Sequence, residues 1–357
     1  MSSRHSLRRS KLRRQFASSG VQAHLVTFLP NVRYLTGFTG SSGALLVEAR
    51  SATFITDFRY RLQADREVDR CRRVEQQGAL ADTLAGIVRK RKLKRVGFES
   101  RHLSWAFHGE LAKKLGAARL VPLEGSVERL RMIKDANEIS LLRLAARIAD
   151  LSYRRATRSL AGRSEQQVAA AMERAIREGG AEDVAFPPIV AGGRNGAQPH
   201  AVPGRSRIRK GSLVVIDFGA RFKGYHSDVT RTRLPGGGGR RAKSLYRLVS
   251  RAQRAAVAAV RPGVVAREVD RAARSVIEEA GFGDFFGHGT GHGVGLEVHE
   301  GPSISSGSPQ ILEAGMVFTV EPGVYVEDFG GVRIEDMVLV TRSGCEIISK
   351  SIPRARP

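Results

Sequence analysis

The chain has 357 residues, 41% hydrophobic and 26% charged, a composition typical of a soluble globular protein that is large enough for two domains. It contains no run of about 18 apolar residues, so no membrane span is expected, and its two distant cysteines exclude a disulfide framework and favour the cytoplasm. The net charge of +24 attracts polyanions, but recognisable nucleic-acid-binding modules are absent, which disfavours dedicated nucleic-acid binding.

The N-terminal segment, residues 1–16, is rich in Arg and Ser and contains no acid. A transit peptide has this composition. However, Leu7, Leu12 and Phe16 recur at near-helical spacing ahead of strand-like residues 23–27. We therefore expect the first helix of the fold here, and the lack of a following apolar core argues against secretion.

Strand-like and helical segments alternate in the first third of the chain. This alternation predicts an α/β domain over residues 1–125. Its expected strands cover 44–47, 52–55 and 95–98, and its expected helix covers 80–88.

The remaining residues, 126–357, predict a second domain that begins with a long helix. Asp135 and Glu138 have the spacing of a capping box at the start of a long helix. The glycine run 236–239 is expected to be a surface turn, because we find no strand-to-helix setting for a phosphate-binding loop. The other predicted helices cover 164–178, 243–260 and 265–280, and the predicted strands cover 212–218 and 315–320.

Two aspartates lie close together in the second domain. Asp217 ends a hydrophobic strand, where a carboxylate is costly unless it meets a cation. Asp228 follows at a spacing that lets a hairpin bring both carboxylates together.

Histidines and glutamates follow in the same domain. His292 stands between glycines, whose small size lets the backbone bend closely around a metal. Glu321 and Glu335 each follow an apolar strand residue. Taken singly, each of these groups has an ordinary explanation as a strand end, a core histidine or an ion-pair partner.

Taken together, four carboxylates and one imidazole form an oxygen-rich ligand set without thiolates. Such a set suits a pair of Mn²⁺, Co²⁺, Zn²⁺ or Mg²⁺ ions. Shared carboxylates hold two ions about 3.5–4 Å apart, and the ions lower the pKa of bound water toward about 7. The sequence therefore predicts a metal-assisted hydrolase.

With this set of residues the chain resembles the pita-bread metallopeptidases. That family includes aminopeptidase P, prolidase, methionine aminopeptidase and the metal-free creatinase. Residues 33–41 (RYLTGFTGS) and 56–60 (TDFRY) are similar to the N-terminal domain of aminopeptidase P and creatinase, with Phe58 where glycine is usual. The resemblance covers nearly the whole chain. It implies a creatinase-like α/β domain over 1–125 and an α+β pita-bread catalytic domain over 126–357, and it argues against methionine aminopeptidase.

The resemblance also implies how two divalent ions would be held. Asp217 would bind one ion, His292 and Glu321 would bind the other, and Asp228 and Glu335 would bridge both. Manganese is the expected metal, with cobalt and zinc as alternatives. Since creatinase lacks these ligands, their presence favours a metallopeptidase. The intact ligand set also disfavours the non-catalytic, protein- or DNA-binding members of the family.

Further catalytic roles are implied by the same resemblance. His200 would lie beside the substrate and assist proton transfer, and His288 would line the proline pocket. His299 would hydrogen-bond the scissile carbonyl, and Arg333 would support the ligands or contact the substrate. Glu321 would carry a proton to the leaving nitrogen.

One departure from the family concerns Ser303, which follows Pro302 where some prolidases carry an arginine that binds the dipeptide carboxylate. It favours a Xaa-Pro aminopeptidase that cleaves peptides with proline at the second position. The alternatives are a Xaa-Pro dipeptidase and, in another class, a non-catalytic nucleic-acid-binding protein on the same fold. A homodimer is expected by analogy with the family.

Overall fold

The computed structural model describes residues 3–355. The chain divides into two compact units between Arg131 and Met132. The domain bounds drawn from the sequence, 1–125 and 126–357, stay a prediction.

The N-terminal unit is an α/β structure built on one six-stranded sheet with the order β4-β3-β2-β1-β5-β6. The pairs β1–β2 and β2–β3 are antiparallel, and the other three pairs are parallel. Its helices are α1 (Arg4–Arg13), α2 (Phe16–Ser19), α3 (Leu29–Thr36), α4 (Arg61–Glu67), α5 (Leu80–Lys90), α6 (Trp105–Leu115) and α7 (Glu128–Met132). Its strands are β1 (Ala23–Val26), β2 (Ala44–Glu48), β3 (Ala52–Thr56), β4 (Arg72–Glu75), β5 (Arg95–Glu99) and β6 (Arg119–Leu123).

Amphipathic helices cover this sheet. In α5 the apolar residues Leu84, Ala85 and Val88 recur at helical spacing and are buried against Leu46 and Val96 of the strands. The predicted helices and strands of this unit are confirmed, although the expected first helix is divided into α1 and α2.

The C-terminal unit mixes helices with antiparallel strands, as expected for the α+β class. Its helices are α8 (Ala136–Ala156), α9 (Glu165–Glu178), α10 (Arg240–Ala259) and α11 (Ala266–Glu278). Its strands are β7 (Asp183–Val184), β8 (Ile189–Gly192), β9 (Val214–Phe218), β10 (Ala220–Phe222), β11 (Tyr225–His226), β12 (Val229–Arg233), β13 (Gly291–Gly293), β14 (Glu300–Ile304), β15 (Val317–Val320), β16 (Gly323–Val326), β17 (Gly330–Arg333), β18 (Asp336–Val340) and β19 (Cys345–Ile347).

The strands of this unit form several small sheets. One has the order β12-β9-β8, another has the order β14-β13-β15-β18-β19, and β16 pairs with β17 as a hairpin. The helices α10 and α11 contribute apolar residues to one core with β15, β16 and β18. The five-stranded sheet and the β16–β17 hairpin therefore pack against these two helices.

The long helix α8 begins at the predicted capping box. The Asp135 carboxylate accepts from the backbone N–H of Glu138 at 2.9 Å, and the Glu138 side chain accepts from the N–H of Asp135 at 3.0 Å. Two backbone donors at the start of the helix are thereby satisfied.

The glycine run 236–239 forms the predicted turn, but the expectation that it lacks a strand-to-helix setting was wrong. It joins strand β12 directly to helix α10, so it does lie between a strand and a helix. Gly236, Gly237 and Gly238 all have positive φ angles, of 79°, 92° and 65°. Only glycine adopts three such angles in succession without strain, which explains the run.

Among residues 3–355, no helix combines the length and the apolar character needed to cross a membrane.

Candidate metal centre

Nine side chains singled out in the sequence line one cavity of about 500 Å³ in the C-terminal unit. They are contributed by three strands and by the loops between strands. The tertiary structure therefore brings together residues that lie far apart in the sequence. They are Asp217, Asp228, His292, Glu321, Glu335, His200, His288, His299 and Arg333.

The antiparallel pair β9–β12 positions the two aspartates. Asp217 lies opposite Thr230 in the register, and Asp228 immediately precedes β12. A side chain at Gly219 would place its Cβ 1.8 Å from the Ser227 carbonyl oxygen, so only glycine permits this close approach. The expected convergence of the two carboxylates is confirmed.

His292 lies in the middle of β13, between two glycines. A Cβ at Gly291 would come within 1.9 Å of the Thr319 carbonyl oxygen, and one at Gly293 within 1.9 Å of the Gly301 carbonyl oxygen. Glycine on both sides thus lets β13 lie closely against its neighbours, which fixes the backbone of the histidine.

The ring of His292 is oriented by its own strand. Nδ1 lies 3.1 Å from the Gly293 carbonyl and donates to it, so Nε2 is the nitrogen that faces the carboxylates. Nε2 is 3.3 Å from Oε1 of Glu321 and 3.6 Å from Oδ2 of Asp228. With Nδ1 engaged by the backbone, Nε2 could bind a metal ion once it has given up its proton.

The two glutamates are held at strand ends. Glu321 directly follows β15, and Glu335 lies between β17 and β18. The Thr230 hydroxyl donates to Glu335 at 2.8 Å, and the backbone N–H of Glu335 donates to the Thr230 carbonyl at 3.1 Å. Strand β12 therefore fixes Glu335 as well as the aspartates.

Three overlapping groups of side chains can each hold a metal ion, with candidate ligand atoms within 4.8 Å of one another. Neighbouring groups share Asp228, His292 or Glu335, so the possible ion positions are adjacent. The groups are Asp217–Asp228–Glu335, His292–Glu321–Glu335 and Asp228–His292–His299.

The electrostatics of the buried carboxylates match a cation site. Burial raises the pKa of Asp217, Asp228 and Glu335, and neighbouring negative charges raise the pKa of all three further. Asp217 Oδ1 is buried and has no hydrogen-bond partner among the described residues. An uncompensated cluster of this kind is costly, and divalent cations among the oxygens would offset the cost.

Glu321 and His292 behave as a charge pair. Burial opposes ionisation of both, but the hydrogen bond between them outweighs it, lowering the pKa of Glu321 and raising that of His292 to about 9. A metal ion at Nε2 would replace the proton that this pair shares.

Arg333 organises the wall of the cavity. Its guanidinium donates to Asp217 Oδ2 at 2.7 Å, to the Tyr325 hydroxyl at 2.8 Å and to the Pro199 carbonyl at 3.1 Å. Its Nε donates to the Thr230 hydroxyl at 2.9 Å. Arg333 is thus a fully engaged positioning group that fixes one ligand and the backbone next to His200.

The remaining histidines surround the carboxylates. Burial lowers the pKa of His288 and of His299, and the charge of His292 adds to the effect on His299, so both rings are neutral near pH 7. The His299 ring centroid lies 4.2 Å from that of His292. His200 also lines the cavity.

The sequence analysis did not identify two groups of residues that support the site. The Tyr325 hydroxyl lies 3.1 Å from His288 Nε2 and accepts from Arg333, linking the two. Asp270 accepts from the backbone and side chain of Thr290, and Arg274 donates to the His288 carbonyl at 2.8 Å. In the sequence these residues belong to an ordinary helix and strand, and nothing marks them as parts of a site.

Comparisons with known proteins agree with this architecture. Residues 140–342 match the sequence model of metallopeptidase family M24, and residues 8–133 match that of the creatinase/prolidase N-terminal domain. An uncharacterized peptidase of Bacillus subtilis is 44% identical, covering 96% of this chain and 97% of its own. A Xaa-Pro dipeptidase of Pyrococcus horikoshii is 37% identical, covering 93% of this chain and 94% of its own.

Solved structures share the fold. A Xaa-Pro dipeptidase from Bacillus anthracis aligns with a TM-score of 0.95 and 39% identity, covering 98% of this chain and 99% of that one. An X-Pro aminopeptidase from Thermotoga maritima aligns with a TM-score of 0.89 and 35% identity, covering 96% and 99%. The predicted family, fold class and enzyme class are confirmed, and the chain belongs to metallopeptidase family M24.

Proposed function

We propose that the protein is a Xaa-Pro dipeptidase that uses two divalent metal ions. The convergence of five ligand-type side chains on one cavity carries this proposal. The relatives from Pyrococcus horikoshii and Bacillus anthracis, both named Xaa-Pro dipeptidases, support the substrate class. They favour the dipeptidase over the aminopeptidase that the sequence led us to prefer.

We propose the same metal ligands that the resemblance to the pita-bread metallopeptidases implied. Asp217 would hold one ion, His292 and Glu321 would hold the other, and Asp228 and Glu335 would bridge both. The overlap of the three ligand groups at Asp228 and Glu335 supports this assignment. When bound, such ions supply Lewis acidity and lower the pKa of water.

The protein side chains have complementary roles. Neutral His299 donates a hydrogen bond toward the scissile carbonyl, and Glu321 takes a proton from the attacking water and passes it to the leaving nitrogen. His288, held by Tyr325 at 3.1 Å, forms a wall of the proline pocket, and His200 assists proton transfer at its rim. Arg333 keeps Asp217 in place.

A Xaa-Pro aminopeptidase is the second candidate, and one observation favours it. Among the described lining residues, Arg333 is the one Lys or Arg, and its donors are engaged by Asp217, Tyr325 and Thr230. Ser303 stands where an arginine would bind a dipeptide carboxylate. A cavity without a free cation suits a substrate that continues beyond the proline.

Substrate length separates the two candidates. Metal-stripped enzyme is re-supplied with Mn²⁺, Co²⁺ or Zn²⁺ and offered a Xaa-Pro dipeptide, a Xaa-Pro-Xaa tripeptide and, as a matched control, a Xaa-Ala dipeptide. Hydrolysis of the Xaa-Pro dipeptide well above that of the other two supports the proposal. Cleavage of the tripeptide alone supports the aminopeptidase, and activity in the stripped enzyme contradicts both.

Manganese as the metal, a homodimeric assembly and a cytoplasmic location stay predictions. The re-supply experiment tests the first, and sedimentation velocity of the purified protein tests the second.

A further inference from the structure

Five cations form a stripe along the outer face of helix α10. Because successive residues turn by about 100°, they fall within an arc of about 80° and extend over about 21 Å of helix. The helix contains no acid. We call the set Arg240, Lys243, Arg247, Arg251 and Arg254 the basic stripe.

The charge of the basic stripe is not neutralised within the described residues, since none of its members forms an ion pair there. Two arginines on other helices of the unit differ in this respect: Arg154 pairs with Asp150 at 2.7 Å, and Arg274 pairs with Asp270 at 2.9 Å. At the start of α10, the exposed loop bearing Lys210 lies next to Gly236 and adds to the same cationic surface.

The opposite face of α10 is anchored in the core. Leu245, Val249, Ala252 and Ala256 are buried in the main apolar cluster of the unit. The stripe is therefore presented on a rigid helix, with its positive charges at fixed spacing. It has no apolar side chain among its members that could enter a lipid bilayer.

A second cavity, of about 230 Å³, opens beside the stripe. Leu245 and Leu248 of the helix form one wall, and Phe282 and Phe329 contribute aromatic rings from distant parts of the sequence. The Arg241 guanidinium lies 4.2 Å from the Phe329 ring centroid. The cavity is thus apolar and aromatic, with cations at its edge.

Acids limit this surface on one side. The turn beside Phe329 carries the exposed Glu327 and Asp328, and Asp328 lies 3.4 Å from Arg194. The cationic surface consequently extends along α10 rather than across the hairpin.

We propose that this face of α10 binds single-stranded nucleic acid without sequence preference, with phosphates along the basic stripe and one base in the aromatic cavity. Arginine fits phosphate oxygens with two parallel hydrogen bonds, and aromatic rings stack on any base. A duplex keeps its bases stacked and cannot place one in the cavity. A second copy of the chain would bring like charges together.

The test measures fluorescence anisotropy of a labelled oligothymidylate with the full chain at 50, 100 and 200 mM KCl. Five phosphate contacts predict a slope of log affinity against log salt of about −3.5, which is a loss of about 100-fold across that range. Binding to a duplex of the same length should be weaker. Vesicles rich in phosphatidylserine serve as the membrane probe.

Two variants distinguish the contribution of the basic stripe to binding from the effect of the net charge of the protein. Arg247→Glu/Arg251→Glu/Arg254→Glu should weaken oligothymidylate binding by about 30-fold or more at 100 mM KCl. The control Arg147→Glu/Arg158→Glu/Arg174→Glu changes the net charge equally on exposed arginines of the same unit outside the stripe. It should weaken binding by no more than about threefold. Both variants should retain wild-type peptide hydrolysis and melting temperature.

A third variant tests the aromatic cavity. Phe329→Leu keeps the apolar volume but removes the ring, and it should weaken oligothymidylate binding by about tenfold. Equal losses in the stripe and control variants, duplex binding as tight as single-strand binding, an unaffected Phe329→Leu variant or binding to vesicles alone would each overturn the proposal.

Discussion

Asp228 and Asp217 occupy the same cavity but are stabilised differently. Asp217 has the Arg333 guanidinium at 2.7 Å, whereas Asp228, only 4% exposed, has the His292 ring at 3.6 Å and two further carboxylates nearby. The ionised form of Asp228 consequently depends more on an added cation than that of Asp217. A bridging role for Asp228 fits that dependence.

We therefore predict that Asp228→Asn, which keeps the shape of the side chain, removes bound metal and lowers turnover by about 10³-fold or more. Metal content by plasma mass spectrometry and hydrolysis of the Xaa-Pro dipeptide are the measurements. Asp284→Asn, an exposed position outside the cavity, is the control and should behave as wild type. Near-normal turnover in Asp228→Asn would count against the two-metal proposal.

Ser303 is an exposed residue of the cavity lining, and its hydroxyl lies 3.1 Å from that of Ser305. Among the described lining residues, the one Lys or Arg is Arg333, so on the proposed function Ser303 offers no positive charge to the carboxylate of a dipeptide. Ser303→Arg should lower the KM for a Xaa-Pro dipeptide by about tenfold, because a charge-assisted hydrogen bond contributes about 1.5 kcal/mol or more.

The matched control for this change is Ser306→Arg, which adds the same charge to the same segment at an exposed position outside the cavity lining. It should leave the KM unchanged. If both variants lower the KM equally, the effect comes from long-range attraction rather than from direct binding of the carboxylate.

At the scale of elements, strand β13 illustrates how backbone packing creates the site. His292 reaches the carboxylates because β13 lies directly against β14 and β15, and this approach leaves no room for a Cβ at either neighbouring glycine. The glycines around this histidine are thus required by packing between strands.

Gly291→Ala should therefore displace β13 from Thr319, lower the free energy of unfolding by about 3 kcal/mol and remove most activity. Urea denaturation and peptide hydrolysis measure the two effects. Gly287→Ala is the control, since a Cβ there meets no atom within 4 Å. If the two variants had the same stability and activity, the strands around β13 would accommodate a Cβ more easily than these distances indicate.

At the scale of the whole molecule, the pH dependence of stability should include a contribution from a residue of the N-terminal unit. His24 is fully buried in β1, and neither ring nitrogen has a hydrogen-bond partner among the described residues. Burial lowers the pKa of His24 from 6.5 to about 4. Between these values the unfolded chain binds more protons than the folded protein.

The contribution of His24 to stability is consequently complete above about pH 6.5 and declines as the pH falls toward 4, by about 3 kcal/mol in total. Urea titrations followed by far-UV circular dichroism should show this decline. His24→Leu should reduce it. An identical pH profile in the variant would contradict the assignment to His24.

Much of this architecture follows from the sequence alone. Apolar periodicity located helices such as α5 and α10, because burying one stripe of a helix depends on spacing along the chain. The capping box at Asp135 is likewise a local pattern. The acids and histidines that converge on the cavity were also visible, since buried carboxylates at strand ends are rare without a cation.

Other features were decided by the tertiary structure. Tyr325 and Asp270 support the cavity through contacts with distant residues, which no local pattern encodes. The aromatic rings of Phe282 and Phe329 lie beside the basic stripe only because the chain folds back on α10. Local spacing determines what a segment can become, whereas contacts between segments depend on packing that forms only when the whole unit is folded.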